Sequence, residues 1–324
     1  MKASFQAFVV QVLFDRSGAV FALADGTVRF ESGETIAAHD GAVLSMALHP
    51  AGDGVITGGD DGRLVWSRRA GAEELAHLGG KWLDAVATSP DSGLIAVAAG
   101  RELIVRDSKD ASFERRFRHE RAVTDVAFEP KGRRIVAATY NGVMLWYARI
   151  PDQKPTLLKW PGAHTGVVVS PDGRFILSSM QENALHGWRV SDGKDMRMAG
   201  YPGKIRSMAF MAKGALLATS GAPGVVIWPF SGSNGPMGRE AVEIGVDESA
   251  MVVRCAGARD TVRLAAGLSD GRVWSVDLNQ TGQSVLKAEK GAPISAMAVS
   301  HDGSRIAFGD EDGEAAVVDA PQSA

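Results

Sequence analysis

An all-β fold, a β-propeller of four-stranded antiparallel blades, is what the sequence predicts, and three observations lead there. A short unit, in which a polar turn with glycine runs into an apolar stretch that often ends in tryptophan, recurs at steps of about 40 residues. A second unit precedes each copy: an apolar stretch, a Pro-Asp-Gly-type turn, then a strand of small apolar residues. The segments between turns are 4–7 residues long and rich in Val, Ile, Leu and Ala, which suits strands rather than helix pairs.

Taken in chain order, the first complete unit is FVVQVLF–DRSG–AVFALADGTVRF, whose turn-and-strand part is ADGTVRF (24–30). The second pairs VLSMALHPAGDGVITGG with DDGRLVW (60–66), and the third pairs DAVATSPDSGLIAVAAG with the looser AGRELIVRD (99–107). The fourth joins VTDVAFEPKGRRIVAAT to YNGVMLW (140–146), and the fifth joins GVVVSPDGRFILSSM to ENALHGW (182–188). APGVVIW (222–228) and SDGRVWSVD (269–277) mark the sixth and seventh, and ISAMAVSHDGSRIAFGD leads into EDGEAAVVD (311–319) in the eighth. Proline presets φ, glycine tolerates positive φ and aspartate bonds its own backbone, so these clusters make hairpin turns between short strands. A weaker fourth strand follows the turn-and-strand unit, as in ETIAAH (34–39), EELAHL (73–78) and ASFERRF (111–117). Four strands per period of about 40 residues is the pattern of a propeller blade.

On these residues the chain resembles the WD40-repeat family over essentially its whole length. The resemblance implies a buried network joining a histidine before the first strand of a blade, a Ser or Thr in the second, a Trp in the third and an Asp in the turn between. The second repeat matches it with His39, Thr57, Trp66 and either Asp60 or Asp61. The turn there is one residue shorter than the family's usual spacing, and the choice between the two aspartates stays open. The fourth repeat keeps His119 but has AAT at the hydroxyl position and Asn141 in place of the acid. Trp-Asp itself does not occur; Arg106–Asp107, Val276–Asp277 and Val318–Asp319 stand where it would be.

The chain is read as a single domain over residues 1–324. Eight turn-and-strand units favour eight blades, with seven as the alternative. Only seven fourth strands follow them, because APQSA (320–324) is too short to supply another. KASFQ (2–6) resembles ASFERRF, so the N-terminal segment is expected to complete the last blade and remove its exposed edge.

A net charge of -3 provides no overall basic field for nucleic acid or an anionic membrane, and makes local nucleic-acid binding the least favoured reading. The single cysteine, Cys255, excludes a disulfide framework and cysteine-rich zinc sites, and suits a reducing, cytoplasmic setting. In MKASFQAFVVQVLF the apolar stretch is interrupted by Gln11 and followed by Asp15–Arg16, unlike a signal peptide, and no run reaches the 18 apolar residues of a membrane span. No phosphate loop, nucleophile elbow or dinucleotide fingerprint is present. His119–Glu120 begins like a zinc-binding HExxH, but Val123 replaces the second histidine; no metal, cofactor or catalytic residue is expected. The acidic turns, Asp25, Asp60–Asp61, Asp270 and Asp312, recur at one place in the repeat. Backbone geometry explains a position that repeats, whereas an acid–base pair needs a single unusual occurrence.

Function is therefore sought where the pattern breaks. His39, Gly79, His119, Trp160 and Tyr201 are equivalent in the loop leading into a first strand, and three residues on Trp82 and Lys204 are large where Ala42, Ala122 and Ala163 are small. Lys81, Arg118, Arg121 and Arg206 gather nearby, with Tyr140 and the Gln181–Glu182 turn expected on the same face. Aromatic residues beside arginine are the composition of an interaction hot spot. Packing is the competing reading for Trp160 and Tyr201. The leading expectation is a non-enzymatic scaffold that is monomeric and binds one or more proteins through this face. The alternative is a small-molecule or metal-binding propeller, enzymatic or not, using the central channel. YARIPDQKPT (147–156) and PFSGSNGPMGREAVE (229–243) lengthen two connections on the opposite face and are expected to be mobile insertions.

Overall fold

The computed structural model describes residues 1–280 and 282–321. Gln322, Ser323 and Ala324, the end of the APQSA tail, lie outside the described residues. The strands form seven antiparallel sheets, six of four strands and one of six. The eight separate blades favoured from the repeat count are thus corrected to seven sheets. The reason lies in two 14-residue strands, Arg134–Tyr147 and Thr156–Val169. The first doubles back at Asn141 (φ 71°) and Gly142 (φ 137°), so that Ala148 N–H bonds Arg133 C=O at 2.9 Å. The second pairs through Leu157–Lys159 with the fourth repeat and through Gly166–Val169 with the fifth. The fourth and fifth repeats therefore share one sheet.

Two compact units make up the chain. The first to be described comprises residues 15–182 and 186–195. Its second strands, among them Gly18–Leu23, Leu94–Ala99 and Phe175–Met180, are buried at every position. A strand covered on both faces needs continuous apolar or small residues, which is why these segments lack alternation. Ile56, Leu64, Leu83, Ile95 and Val97 form one layer of its core, and Val136, Leu145, Val167 and Trp188 another. Hydroxyls tie neighbouring repeats: Ser45 Oγ donates to Leu83 C=O (2.9 Å), Thr88 Oγ1 to Leu48 C=O (2.7 Å) and Thr124 Oγ1 to His164 C=O (2.6 Å).

The other unit comprises residues 1–14, 183–185 and 196–324. Here Lys2–Ser4 pairs with Glu314–Asp319 as the fourth strand of the last sheet, where KASFQ was expected to go. Ser295 Oγ donates to Val9 C=O at 2.6 Å and holds the following N-terminal strand beside that sheet. Cys255 is buried, its N–H donates to Ser207 Oγ (2.8 Å), and burial pushes its thiol up to about 12, so it is an inert packing residue.

The aspartate turns form as expected at Asp25, Asp61 and Asp270, whose carboxylates accept the N–H two residues on, from Thr27, Arg63 and Arg272. In the last repeat Asp310 does this instead of Asp312, accepting the N–H groups of Asp312 (3.1 Å) and Glu314 (2.9 Å). The connection after Tyr147 is not the loose insertion expected. Gln153 bonds Tyr147 N–H and the carbonyls of Tyr147 and Ile150, while Arg149 reaches Asp107 and the Ser92 carbonyl.

Candidate functional site

The site is built on loops that lie over buried polar networks. In the second repeat His39 Nε2 meets Thr57 Oγ1 at 2.8 Å and His39 Nδ1 meets Asp61 Oδ1 at 3.0 Å. Asp61, not Asp60, is therefore the network acid, and its second oxygen accepts Asp40 N–H. Burial alone would raise the Asp61 carboxyl, but the N–H of Arg63, the His39 ring and the N–H of Asp40 hold it below the ordinary carboxylate range. Gly59 is required beneath: a Cβ there would lie 2.3 Å from His39 Nδ1 and 2.5 Å from Asp61 Oδ1.

Trp66 was expected in this network and lies outside it. Its Nε1–H donates to Asp53 C=O at 2.8 Å and its ring stacks on His49 at 4.1 Å. Register is the cause. Thr57 pairs with Val65 and Ile56 with Trp66, whereas in the sixth repeat Thr219 pairs with Val226 and Leu217 with Trp228. A one-residue change in register turns a side chain to the opposite face of the sheet. Trp228 consequently faces its network, donating from Nε1 to Tyr201 Oη at 2.6 Å, and that hydroxyl meets Thr219 Oγ1 at 2.7 Å.

Tyr201 and His119, expected on the binding face, are thus buried structural groups. Tyr201 fills the histidine place of the sixth repeat, and His119 Nε2 accepts the Nε1–H of Trp146 at 3.1 Å. Trp160 is half-buried and stacks on the buried His186 ring at 3.7 Å, so packing accounts for most of it. In the fifth repeat His164 takes over the polar role, meeting Ser178 Oγ at 2.9 Å.

Burial holds His39, His49, His119 and His164 below the ordinary imidazole pKa of 6.5. The unfolded chain therefore takes up protons first as pH falls through about 6.5, and each neutral imidazole's contribution to stability is lost there. Asp125 acts oppositely: buried, with its oxygens accepting Val126 and Val167 N–H, it is raised to about 6 and gains stability on protonation. Four imidazoles against the raised carboxyls of Asp125 and Asp84 predict a falling thermal midpoint as pH is lowered through about 6.5, measured by circular dichroism, with a shallower fall in His39→Gln. A midpoint that rises over that interval would contradict it.

Above these networks the remaining predicted residues are displayed. Trp82 is 63% exposed in a loop pinned at both sides, Leu78 N–H to Gly62 C=O (2.8 Å) and Leu83 N–H to Gly59 C=O (3.1 Å). The next loop is held on the Gly100–Arg101 turn by His119 N–H to Arg101 C=O (2.9 Å) and Val123 N–H to Gly100 C=O (2.8 Å), and it exposes Arg118 and Arg121. Tyr140 is 54% exposed, and Gln181 and Glu182 are exposed beyond it, with Gln181 N–H bonded to Ala163 C=O at 3.0 Å. Lys204 and Arg206 are exposed in the other unit.

Sequence reasoning missed Arg101, Glu102 and Arg116. Glu102 pairs across strands with Arg118, and its largely buried carboxylate is approached by Lys81, by Arg118 Nε (3.4 Å) and by Arg116 Nη1 (3.7 Å). Lys81 first, then the two guanidiniums, hold Glu102 below the usual carboxylate range despite its partial burial. The alternation of Arg116 and Arg118 in ERRFRHER, two residues apart on one strand face, was the available signal. Among the described residues no group of three or more His, Cys, Asp or Glu side chains is placed to hold a metal ion.

Repeated four-stranded antiparallel sheets, with loops laid over buried His–Thr or Tyr–Thr pairs, define a β-propeller. The chain carries WD40 repeats in a β-propeller fold: residues 31–66 and 112–147 match the model "WD domain, G-beta repeat", and these hold the His39 and His119 networks. It is similar to pre-mRNA-processing factor 19 homolog 2 of Arabidopsis thaliana, 24% identical over 202 residues, which is 57% of this chain. The match spans only 38% of that relative's length. The β-propeller domain of Myceliophteria thermophila Cps50 (Swd1) superposes with a TM-score of 0.67 at 15% identity, covering 86% of this chain and 97% of that one. The computationally designed Ika8 protein gives a TM-score of 0.76 at 18% identity over 98% of both chains. At these identities the two structures speak for the fold.

Proposed function

We propose that this chain is a non-enzymatic scaffold that binds one or more proteins through the loop face bearing Lys81, Trp82, Arg118, Arg121, Tyr140, Gln181 and Glu182. The WD40 fold is consistent with a protein-interaction scaffold. The observation that carries the reading is Trp82, a large apolar ring 63% exposed on a loop whose backbone is bonded on both sides. A ring displayed in this way invites cover, and a loop already ordered loses little entropy when a partner docks. Lys204 and Arg206, exposed in the other unit, are proposed as further binding residues of the sixth repeat. The name of the Arabidopsis relative speaks of pre-mRNA processing, and that role is the relative's own. A reducing compartment, the cytoplasm in our reading, suits a chain whose one thiol is buried. No helix among the described residues is long and apolar enough to cross a membrane.

Affinity capture from native extract with the wild-type chain, Trp82→Ala and Arg121→Glu tests the reading. Both variants are expected to lose the captured partner and to keep the wild-type thermal midpoint, since exposed substitutions usually change stability by less than about 0.5 kcal/mol. Undiminished capture by both variants, or unfolding of both, sinks it.

A further inference from the structure

Lys81, the residue before Trp82 in the chain, lines an open recess of about 390 Å³ together with Arg101, Glu102 and Arg118, with Gly100 and His119 at its wall. That volume lies within the range of about 300–1,000 Å³ typical of ligand sites. Its charge is unbalanced. Glu102 is the single carboxylate of the lining, and it is already approached by Lys81, Arg116 and Arg118. Arg101 and Arg121 make no ion pair among the described residues, and the Arg118 side chain is 87% exposed. Arg116 is held mainly by Glu114, Nε to Oε1 at 2.6 Å, and lies outside the lining; with Asp84 and Glu120 as the further acids of the loops, Lys81, Arg101, Arg118 and Arg121 stand against three carboxylates.

We infer that this recess receives an acidic side chain, Asp or Glu, from an extended segment of a protein partner, while an apolar neighbour in that segment packs on Trp82. The inference rests on the docking face proposed above and names the chemistry of its partner. Arginine forks and the Lys81 ammonium suit a carboxylate, and the exposed Trp82 ring suits the apolar residue beside it. A peptide fits better than a nucleic acid because the chain as a whole is anionic, with a net charge of -3, and only a local cationic cluster is present. Glu102 occupies the cations in the free protein, and an incoming carboxylate competes with it for Arg118 and Lys81.

Fluorescence anisotropy with the full chain tests this, using a fluorescein-labelled peptide of alternating Glu and Leu, its Gln-for-Glu counterpart and a labelled single-stranded DNA oligonucleotide. The Glu peptide is expected to bind at least about tenfold more tightly than the Gln peptide and to weaken as salt is added. Arg118→Glu and Arg101→Glu are each expected to weaken it about tenfold with an unchanged thermal midpoint. Glu102→Gln, which removes the competing carboxylate, is expected to bind the Glu peptide severalfold more tightly, an effect that a purely structural Glu102 does not produce. Equal binding of the two peptides, tighter binding of the oligonucleotide, or no gain in a folded Glu102→Gln overturns the inference. If Trp82→Ala abolishes partner capture while both peptides bind alike, the docking face stands and its preference for acid falls. Capture that is indifferent to Trp82→Ala removes the docking face itself.

Discussion

Leu83→Ala is expected to destabilise the protein by about 2–5 kcal/mol, while Trp82→Ala, one residue earlier, leaves stability nearly unchanged. Leu83 is 0% exposed among Ile56, Leu64, Ile95 and Val97, so truncation leaves a cavity in a layer shared by the second and third repeats. Its backbone is also bonded at both polar atoms, N–H to Gly59 C=O at 3.1 Å and C=O from Ser45 Oγ at 2.9 Å. The side chain is thus the anchor that lets Trp82 stand out. Urea unfolding of the two variants, read from the midpoint at constant slope, measures the contrast. Equal effects from both substitutions would show that Trp82 is packed, and the docking face would lose its central residue.

Tyr201→Phe is expected to cost about 1–3 kcal/mol, because removing one hydroxyl leaves the Trp228 indole N–H without its acceptor and Thr219 with only the Val226 carbonyl. The wild-type phenol is held protonated, burial pushing it up to about 12, so both bonds persist throughout the neutral range. In a double-mutant cycle with Thr219→Val the two changes should be non-additive by about 0.5–3 kcal/mol. Strict additivity would mean that Tyr201 and Thr219 are not energetically joined, and the equivalence of Tyr201 with His39 would fail with it.

Repeat positions, turn aspartates and the N-terminal strand in the last sheet were legible because each depends on neighbours in sequence. An Asp-Gly turn needs only its own residues, and a strand edge is covered by whichever segment has no other partner. Asp312 shows the limit even there: Asp310, two residues earlier, takes the two N–H groups, and both aspartates satisfy the same local pattern. On the candidate face, Trp82, Arg118, Arg121, Tyr140, Gln181 and Glu182 stand exposed as their irregularity suggested, whereas His119 and Tyr201 are inside. A residue that breaks a repeat can do so by replacing a buried group as readily as by facing a partner, and the letters do not separate the two.

By itself the amino-acid sequence determined the all-β repeat, the hairpin turns and the absence of nucleotide, disulfide and nucleophile motifs, since these follow from local backbone preferences and residue chemistry. The tertiary structure decided the rest. Strand register sent Trp66 away from His39 while Trp228 turned toward Tyr201, and it chose Asp61 over Asp60. The Thr156–Val169 strand, pairing with both the fourth and the fifth repeats, joined them in one sheet. Cross-strand pairing of Glu102 with Arg118 built the cationic recess. Each of these depends on which residues meet across strands, and a shift of one position, invisible in composition or spacing, turns every side chain of a strand to its other face.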